Sequence, residues 1–458
     1  MTQNLTREFV NRINTWPAQG TELQNFGRLL MMDGLAVAAA GSREPGPQAL
    51  ADLARARACV PAAGVIGCAF ATAPEFAARI NGMAMHVLDF EPMWNPPNHA
   101  LSTLLPALLA LAETLEAAGM PPQGERVLRG LLKGIEAQGR LRLSSGQIEP
   151  AELTLHPPGV IGPIAAAVAC GDLLGLDEDA LVAAVGIAAS HSAGLMANVG
   201  SMTKALHCGN AAMHGLEAAL LASKGFTADP DALGGPRGFG TSYFGRSFDP
   251  APLLSVVSVP RVLDPGPSWK LFPSQYATHF SITAALACRA DLGADAQVAK
   301  VDITTPVMPY IDRPLPNSGL DGKFSYQYCV AAALLDAQVN LNSFANSRRF
   351  APDMVRMLGL ISLNQTSAIS GRFDAMHVDV EVTLIDGASV KQRCTSPLGS
   401  WSQPIEPTLV EKKARDLLAG VLSEQATQTF WRCLEQPIAE LRVSDLMRSL
   451  SSPPPPRP

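Results

Sequence analysis

The feature that most constrains the fold is the helical spacing of small apolar residues through the first half of the chain. From about residue 25 to 225, alanine and leucine predominate, β-branched runs are few, and apolar positions recur with a helical rather than an alternating period. The segments predicted as buried helices are 26–40, 49–58, 73–88 and 104–117. The charged segment 124–143 predicts a further helix, exposed to solvent. We therefore expect the chain to be all-helical as far as residue 225.

The pattern changes after Gly225. Alternating apolar residues over 376–387, a turn at Asp386-Gly387 and a return segment at 389–394 predict a β-hairpin, and 298–306 predicts another strand. Further helices are predicted at 325–337, 409–422 and 424–434. Strands and helices are thus mixed in this part of the chain.

The predicted fold class is mainly α with an α+β part, built as a large all-helical domain and a smaller α+β lid domain. The helical domain is expected to span 1–264 and 401–445, and the lid 265–400. Residues 446–458 end in Ser-Ser-Pro-Pro-Pro-Pro-Arg-Pro and are expected to form a disordered proline-rich tail.

Composition limits the possible partners. Hydrophobic residues make up 47% and charged residues 17%, so we expect part of the surface to be covered by another subunit. A net charge of -6 argues against nucleic acid. The eight cysteines are scattered without metal-binding spacing, which is typical of reduced thiols in a cytoplasmic protein. The start lacks an apolar signal core, and Pro163 and Asp172 interrupt the apolar stretch 160–176, so no membrane span is expected.

Polar and reactive side chains concentrate in the segment 198–215, with Lys204 at its centre. Lys204 is predicted to lie on a short turn between two buried helices. A lysine there either pairs with an anion or loses its proton through desolvation, and both states suit an enzyme that handles carboxylates. The alternative is a lysine that extends from a helix end into water. The polar neighbours favour the functional interpretation.

Other polar side chains lie at predicted loop-to-helix junctions. Asp89 and His99 belong to a proline-rich loop between two core helices, where a rigid frame can hold catalytic groups. His156 precedes a helix of small residues whose N-terminus suits an anion. Lys270 lies at another junction, and Arg237, in a glycine-rich loop, is a candidate anion ligand. The alternatives are a structural histidine and an aspartate that only caps a helix.

Several common catalytic motifs are absent from the sequence. It contains no G-x-G-x-x-G opening a βαβ unit, no P-loop, no G-x-S-x-G and no H-E-x-x-H. We therefore expect neither a cofactor nor a metal, and chemistry carried out by histidine, lysine and aspartate side chains.

The assembled motifs resemble the MmgE/PrpD family over about residues 25–435. They are Leu88-Asp-Phe90 with His99, Glu136-Ala-Gln-Gly-Arg-Leu141, His156-Pro-Pro158, Ala189-Ser-His-Ser-Ala-Gly-Leu-Met-Ala-Asn198 and Thr203-Lys-Ala-Leu-His-Cys-Gly-Asn-Ala-Ala212. The last two are highly specific. The resemblance implies a helical domain with an α+β lid, a homodimer and a pocket between the domains. For the decarboxylases of the family it implies the site residues Asp89, His99, His156, Lys204 and Lys270, with Tyr310 nearby.

The sequence departs from the decarboxylase pattern within this implied pocket. Met93 replaces a threonine, Asn95 replaces a histidine, and Ala100-Leu101 replaces Pro-Ser after His99. Gln275 stands where a histidine is expected, and glutamine can orient a carboxylate but cannot transfer a proton. Met93 and Gln275 are therefore expected to contact the substrate and to alter which substrate is accepted.

The predicted function is that of a cofactor-independent lyase, a dehydratase or decarboxylase, acting on a small di- or tricarboxylate. Lys204, Lys270 and Arg237 are expected to bind the substrate carboxylates, and His99 or His156 to remove the proton alpha to one of them. An aspartate would orient the histidine or fix its tautomer, and this role is assigned to Asp89.

Two alternatives stay open at the level of sequence. An epimerase of an iminodisuccinate-like substrate would use the same deprotonation and then return the proton to the opposite face. A non-catalytic scaffold would retain the fold alone. Both catalytic hypotheses require Lys204, His156, His99 and Lys270 to converge on one cavity.

Overall fold

The computed structural model describes residues 4–256, 259–292 and 296–451. The α-helices of these residues are α1 (Leu5–Thr15), α2 (Thr21–Gly41), α3 (Pro45–Ala56), α4 (Pro74–Val87), α5 (Leu101–Ala117), α6 (Gly124–Ser144), α7 (Pro157–Leu174), α8 (Glu178–Ala189), α9 (Met202–Ala222), α10 (Phe239–Phe244), α11 (Ala251–Leu254), α12 (Tyr276–Asp291), α13 (Gly319–Gly322), α14 (Tyr326–Asp336), α15 (Asn346–Arg349), α16 (Pro352–Leu358), α17 (Pro407–Ala419), α18 (Glu424–Glu435) and α19 (Val443–Leu450). The strands are β1 (Ala63–Gly64), β2 (Ala71–Thr72), β3 (Val298–Thr305), β4 (Ile361–Gln365), β5 (Val378–Leu384) and β6 (Ser389–Cys394). The fold is mainly α with an α+β part, and that prediction is confirmed.

Helices α4, α5, α7 and α9 pack together at the centre of the helical part. A Cβ atom at Gly209 of α9 would lie 2.3 Å from the carbonyl oxygen of Arg79 on α4, and one at Gly215 would lie 2.3 Å from the Cβ of Ala166 on α7. Only glycine permits backbones to approach this closely. These contacts fix the end of α4 relative to the starts of α7 and α9, where the predicted site residues lie.

Helix α6 is largely buried, whereas its charged sequence predicted an exposed helix. Its enclosed charges have partners from distant parts of the chain. Lys133 pairs with Asp172 at 2.9 Å, and Arg142, 1% exposed, donates from Nε to the carbonyl oxygen of Pro97 at 3.0 Å. Because charged groups can be buried when they are paired or hydrogen-bonded, α6 can be rich in charge and still lie in the core.

Four strands form one mixed sheet in the order β4-β3-β5-β6. Strand β3 pairs in parallel with β4 and antiparallel with β5, and β5 and β6 form the predicted hairpin. Gly387 in its turn has a φ of +88°, which glycine adopts without strain. Strand β4 was not predicted, because its five residues alternate too briefly. The short pair β1-β2 interrupts the region that was predicted to be all-helical.

Two hydrophobic cores occur among the described residues. The larger draws on residues between 5 and 269 and between 410 and 450. The smaller draws on residues between 276 and 394, together with Met93 and Val199. These two side chains come from loops of the helical part, so the cores approach each other there. The domain boundaries at residues 264 and 400 stay predictions.

The helical part continues closer to the C-terminus than predicted, and its last helix was not predicted. Helix α19 continues through Leu450, and its residues Leu446, Met447 and Leu450 are buried. Residues 446–450 are therefore helical and not part of a disordered tail, because their apolar side chains pack into the larger core. The predicted tail residues 452–458 lie outside the described residues.

Helix α7 is apolar and long enough, by length and composition alone, to cross a membrane. However, 89% of it is buried inside the protein, as is common for a core helix.

Candidate active site

The candidate site is organised around Asp89, which follows the end of α4. Its φ of +50° is in the left-handed region that commonly terminates helices. Asp89 Oδ2 accepts a hydrogen bond from Lys204 Nζ at 2.5 Å, and Asp89 Oδ1 accepts one from Lys270 Nζ. All three residues are buried. The two predicted lysines therefore meet, but they meet on a carboxylate of the protein itself.

The pKa values of Asp89 and Lys270 depend on each other's charge. Burial alone would raise the pKa of Asp89, but the charges of Lys204 and Lys270 outweigh it and hold that pKa well below its ordinary value. Burial lowers the pKa of Lys270 to about 8, and Asp89 acts in the opposite direction. When both lysines are protonated, one positive charge exceeds the carboxylate and can attract an anionic ligand.

His99 lies between two carboxyl groups. Its Nε2 atom is 3.9 Å from Asp89 Oδ1, and its Nδ1 atom is 3.7 Å from Glu91 Oε1. Helix α6 supports this segment, because Gln138 Nε2 donates to the carbonyl oxygen of His99 at 2.8 Å. Burial lowers the pKa of His99 well below its ordinary value, although Asp89 opposes the shift. His99 is therefore neutral near pH 7 and able to accept a proton.

A buried pair that the sequence did not predict lies next to His99. His86 Nδ1 and Glu91 Oε1 are 2.7 Å apart, and the backbone N–H of Ser102 donates to Glu91 Oε2 at 2.8 Å. Burial raises the pKa of Glu91 to about 8 and lowers the pKa of His86. Both directions favour a neutral pair in which Glu91 donates to His86. The His86 and His99 rings meet edge-on with centroids 4.7 Å apart.

His156 lies immediately before α7, as predicted, and contacts His207 of α9. The two Nδ1 atoms are 3.3 Å apart, and the backbone N–H of His156 donates to the carbonyl oxygen of Gly194 at 2.9 Å. Burial lowers the pKa of both histidines, and the charge of Lys204 lowers both further. Since one Nδ1 atom must donate to the other, His207 restricts the tautomer of His156.

A cavity of ≈ 70 Å³ connects these side chains. The polar and charged residues of its wall are Asp89, His99, His156, Lys204, Gln275, Tyr276 and Tyr310. Its apolar wall includes Met93, Leu153, Met196, Val199, Phe324 and Phe373. Gln275 Nε2 donates to the Tyr310 hydroxyl at 3.2 Å, and Gln275 Oε1 accepts from the backbone N–H of Ala277 at 2.6 Å. Gln275 is thereby held at the start of α12.

Two predicted anion ligands do not line this cavity. Lys270 is 0% exposed and reaches Asp89 rather than the open space, so its charge acts through Asp89. The predicted convergence on one cavity is therefore met by Lys204, His156 and His99, whereas Lys270 joins them only through Asp89. Arg237 is exposed and lines a separate surface pocket with His191 and Tyr243. Arg237 lies apart from this cavity because its loop packs beside the end of α8, and residue type alone does not show which surface a loop joins. Its role as an anion ligand stays a prediction.

Among the residues that the structure describes, two groups of side chains have donor atoms close enough to share a metal ion. In the first, His86, Glu91 and His99, the nearby charges of Lys204 and Lys270 oppose a bound cation. The second is His191, His214 and Glu217 on the protein surface. Its two imidazole rings are stacked at 7° with centroids 4.3 Å apart. Parallel stacked rings direct their lone pairs along parallel planes, so they do not converge on one ion.

Comparison with known proteins identifies the family. The family model of the MmgE/PrpD N-terminal domain matches residues 9–251, and that of the MmgE/PrpD C-terminal domain matches residues 272–436. The chain belongs to the MmgE/PrpD family. It is similar to the cis-aconitate decarboxylase of Homo sapiens, with 33% identity over 359 residues, 76% of this chain and 74% of that protein.

Other relatives of this MmgE/PrpD chain carry the same name. The cis-aconitate decarboxylase of Mus musculus is 31% identical over 376 residues, 80% of this chain and 76% of that protein. The cis-aconitate decarboxylase of Aspergillus terreus is 26% identical over 421 residues, 87% of this chain and 85% of that protein.

Several polar residues around Asp89 in this MmgE/PrpD chain were not predicted from its sequence. His86 lies three residues before Asp89 and Glu91 two after it, so proximity in sequence to Asp89 was a usable signal. Lys323 gave no such signal, because it reaches the site from a separate segment. Its Nζ donates to the carbonyl oxygens of Leu88 and Pro273 at 3.2 and 3.0 Å.

Proposed function

We propose that this protein is a cofactor-independent lyase that decarboxylates an unsaturated tricarboxylate of the cis-aconitate type. The observation that carries the proposal is the buried Asp89 between Lys204 and Lys270, with neutral His99 and His156 on the same cavity wall. The names of the relatives support the reaction and the substrate class. His99, His156, Lys204 and Asp89 are kept as catalytic residues in this proposal. Asp89 binds Lys204 and Lys270 and lies 3.9 Å from His99 Nε2, so it acts by holding the lysines rather than by orienting a histidine.

Substrate carboxylates would contact Lys204 and the excess positive charge of the group around Asp89. Breaking the carbon–carbon bond releases carbon dioxide, and its electron pair passes into the conjugated system that ends at a remaining carboxylate. Lys204 and the excess positive charge around Asp89 stabilise that developing negative charge in a site with little water. Addition of one proton to carbon completes the reaction.

The proton is assigned to His99 or His156. Both are neutral without a ligand because burial lowers their pKa. An anionic substrate raises the pKa of a neighbouring histidine, so binding would favour uptake of the proton that the carbanion later receives. In a dehydratase reaction, by contrast, the neutral histidine would first act as a base.

The cavity must enlarge to receive such a substrate. Its ≈ 70 Å³ is well below the about 300–1,000 Å³ of most ligand pockets. Leu153, Met196 and Val199 line it from the segments between α6 and α7 and between α8 and α9. Movement of these connecting segments would widen the cavity without disturbing the helices.

Incubation in deuterated buffer separates the reactions. Proton and carbon NMR would follow cis-aconitate, 2-methylcitrate and iminodisuccinate with the purified chain. We expect loss of carbon dioxide from cis-aconitate with deuterium on the protonated carbon. Loss of water from 2-methylcitrate alone would replace the decarboxylase proposal with a dehydratase. Deuterium exchange without loss of either molecule would favour the epimerase, and no reaction with any of the three would contradict a lyase of this class.

We also propose that the protein works as a cytoplasmic homodimer. Its low charged fraction of 17% supports a covered surface. Size-exclusion chromatography with light scattering should give twice the 48.3 kDa chain mass. A monomeric mass at micromolar concentration would contradict the proposal.

A further inference from the structure

We propose that two lysines outside the cavity wall, Lys323 and Lys413, hold Asp89 in its left-handed conformation. Lys323 Nζ donates to the carbonyl oxygen of Leu88 at 3.2 Å. Lys413 Nζ donates to the carbonyl oxygen of Phe90 at 2.6 Å. The backbone carbonyls of the residue before and the residue after Asp89 are therefore each held by an ammonium group. The consequence for catalysis rests on the proposed function, whereas the conformational claim does not.

Asp89 needs such support because its backbone is in a disfavoured region. A φ of +50° brings the Cβ of an L-residue close to its own backbone, and such conformations persist where the surroundings fix them. Turning the peptide groups beside Asp89 would move its carboxylate away from Lys204 and Lys270. The bond to the Leu88 carbonyl oxygen opposes rotation of the peptide group before Asp89 directly. The bond to the Phe90 carbonyl oxygen holds the following residue, so the chain after Asp89 is fixed as well.

Lys323 also connects this turn to the other side of the cavity. Its Nζ donates to the carbonyl oxygen of Pro273 at 3.0 Å, and its own carbonyl oxygen accepts from the backbone N–H of Gln275 at 2.9 Å. The side chain is buried and lies over the Phe344 ring at 4.7 Å. Within the described ranges, no carboxylate forms an ion pair with Lys323. Burial of a lysine that has only carbonyl partners is unfavourable, so its positioning role is the benefit we assign to it.

Lys413 reaches the turn from α17 with its charge balanced. Its Nζ is 2.9 Å from Asp33 Oδ1 of α2 and 4.0 Å from the centre of the Phe90 ring. A lysine has three N–H donors, so it can bind Asp33 and still donate to the carbonyl oxygen of Phe90. Helix α17 is thereby connected to the turn that carries Asp89.

Lys133 provides a matched control. It is likewise buried, pairs with Asp172 at 2.9 Å, and donates to a carbonyl oxygen, that of Asn14, at 3.3 Å. It does not line the cavity. Lys133→Met therefore removes the same kind of buried ammonium group without touching the turn at Asp89.

The experiment compares Lys323→Met, Lys413→Met and Lys133→Met in the full chain by hydrogen–deuterium exchange of segment 86–99. The native turn includes the bond from the Asp89 N–H to the carbonyl oxygen of His86 and the pair between Trp94 and Asn98. We expect exchange in this segment to accelerate about tenfold in the first two variants, because its local opening becomes easier, and to stay at the wild-type rate in Lys133→Met. Wild-type exchange in both test variants would overturn the proposal.

A glycine at position 89 gives a second, independent comparison. Glycine adopts positive φ without strain, so Lys323→Met should accelerate exchange in wild type but not in a chain that already carries Asp89→Gly. Equal acceleration in both backgrounds would overturn the proposal. Lys323→Leu, which also lacks donors, replaces Lys323→Met if circular dichroism shows the latter to be unfolded.

Measurements of kcat and KM test the consequence of the proposal for catalysis. We expect kcat to fall about 10²-fold in Lys323→Met, with KM little changed, because a misplaced catalytic group costs rate rather than binding. Lys133→Met should keep kcat per folded molecule. Accelerated exchange with unchanged kcat would overturn the catalytic part of the proposal. If wild type shows no turnover, the proposed function fails, while the exchange comparison still decides the role of the lysines.

Discussion

The two concave regions that carry predicted anion ligands differ in almost every physical respect. The pocket beside Arg237 is large, ≈ 810 Å³, and its arginine is exposed. The cavity beside Lys204 is only ≈ 70 Å³, and its charges are buried and paired. Charge interactions are much stronger away from water, so the smaller region is the better place to stabilise a reaction's developing charge. The comparison shows that enclosure, not size, distinguishes the candidate site.

The largest effect is expected from Lys204→Ala, which tests whether the enclosed charge is needed for activity. Removal of a preorganised charge from an enclosed site should lower kcat/KM for the accepted substrate by about 10²–10³-fold. Steady-state kinetics would measure the loss, and circular dichroism would verify that the fold is kept. Lys133→Ala, at another buried lysine paired with a carboxylate, is the matched control. Full activity in Lys204→Ala would refute the central assignment.

The burial of Glu91 predicts that the stability of the fold depends on pH. The pKa of Glu91 is raised to about 8 from 4.5, so the folded state keeps this proton while the unfolded chain loses it. The stability that this group contributes is therefore complete below pH 4.5 and is lost as the pH rises to about 8, an effect of several kcal/mol. Buried histidines with lowered pKa values shift stability in the opposite direction, so urea unfolding at pH 5 and pH 8 must compare wild type with a variant in which position 91 does not titrate.

Glu91→Gln is the control for that measurement. The amide can donate to His86 Nδ1 and accept from the Ser102 N–H, as the protonated acid does, but it does not titrate. Its free energy of unfolding should fall less between pH 5 and pH 8 than that of wild type. An equal fall in both proteins would show that Glu91 is not protonated in the fold.

A smaller effect is expected from Gln275→His. This change restores the residue type that the decarboxylase pattern has at this position of the cavity wall, and it adds a group that can transfer a proton. We expect kcat/KM for cis-aconitate to rise about tenfold. Gln275→Met, of similar size but without donors, should give no gain. An unchanged or lower rate with histidine would show that Gln275 does not limit this substrate.

The smallest effect is expected from Arg237→Ala. An exposed charge in a separate pocket is screened by salt, so kcat and KM should each change by less than about twofold at 0.15 M salt. A tenfold rise in KM would return Arg237 to the substrate site and would remove the contrast between the two regions.

The helical part of the fold was predictable because periodicity is a local property. The helix predicted at 26–40 lies within Thr21–Gly41, and that predicted at 325–337 matches Tyr326–Asp336. The burial of α6 was not predictable, because Lys133 and Arg142 obtain their partners from distant segments. Strand β4 depends on pairing with β3, and its own five residues carry too little pattern.

The site was predictable to the extent that its residues end or begin helices. Asp89, His99 and His156 lie at such positions, and helix packing brings them to one cavity with Lys204. Lys204 was predicted on a turn between helices, but α9 begins at Met202 and Lys204 lies in its first turn. The sequence could not show that Lys270 reaches Asp89 rather than the open cavity. This depends on how deeply Lys270 is buried in the fold, which the spacing of residues along the chain does not reveal. Arg237 has the same residue type and loop setting as a true ligand, and only packing shows that it lies elsewhere.

The close contact between α4 and α9 has a consequence for how variants of this protein should be interpreted. Gly82 faces Gly209 across this contact, where an added Cβ would lie 3.0 Å from the Cα of Gly209. Because neither Gly82 nor Gly209 has a side chain, α4 and α9 can lie this close together. The distance between the helices in turn sets the separation of Asp89 and Lys204. A single methyl group at either glycine would act as a wedge between the helices. Such a variant would lose activity with every catalytic residue intact, so a survey that checks catalytic side chains alone would classify it as functional.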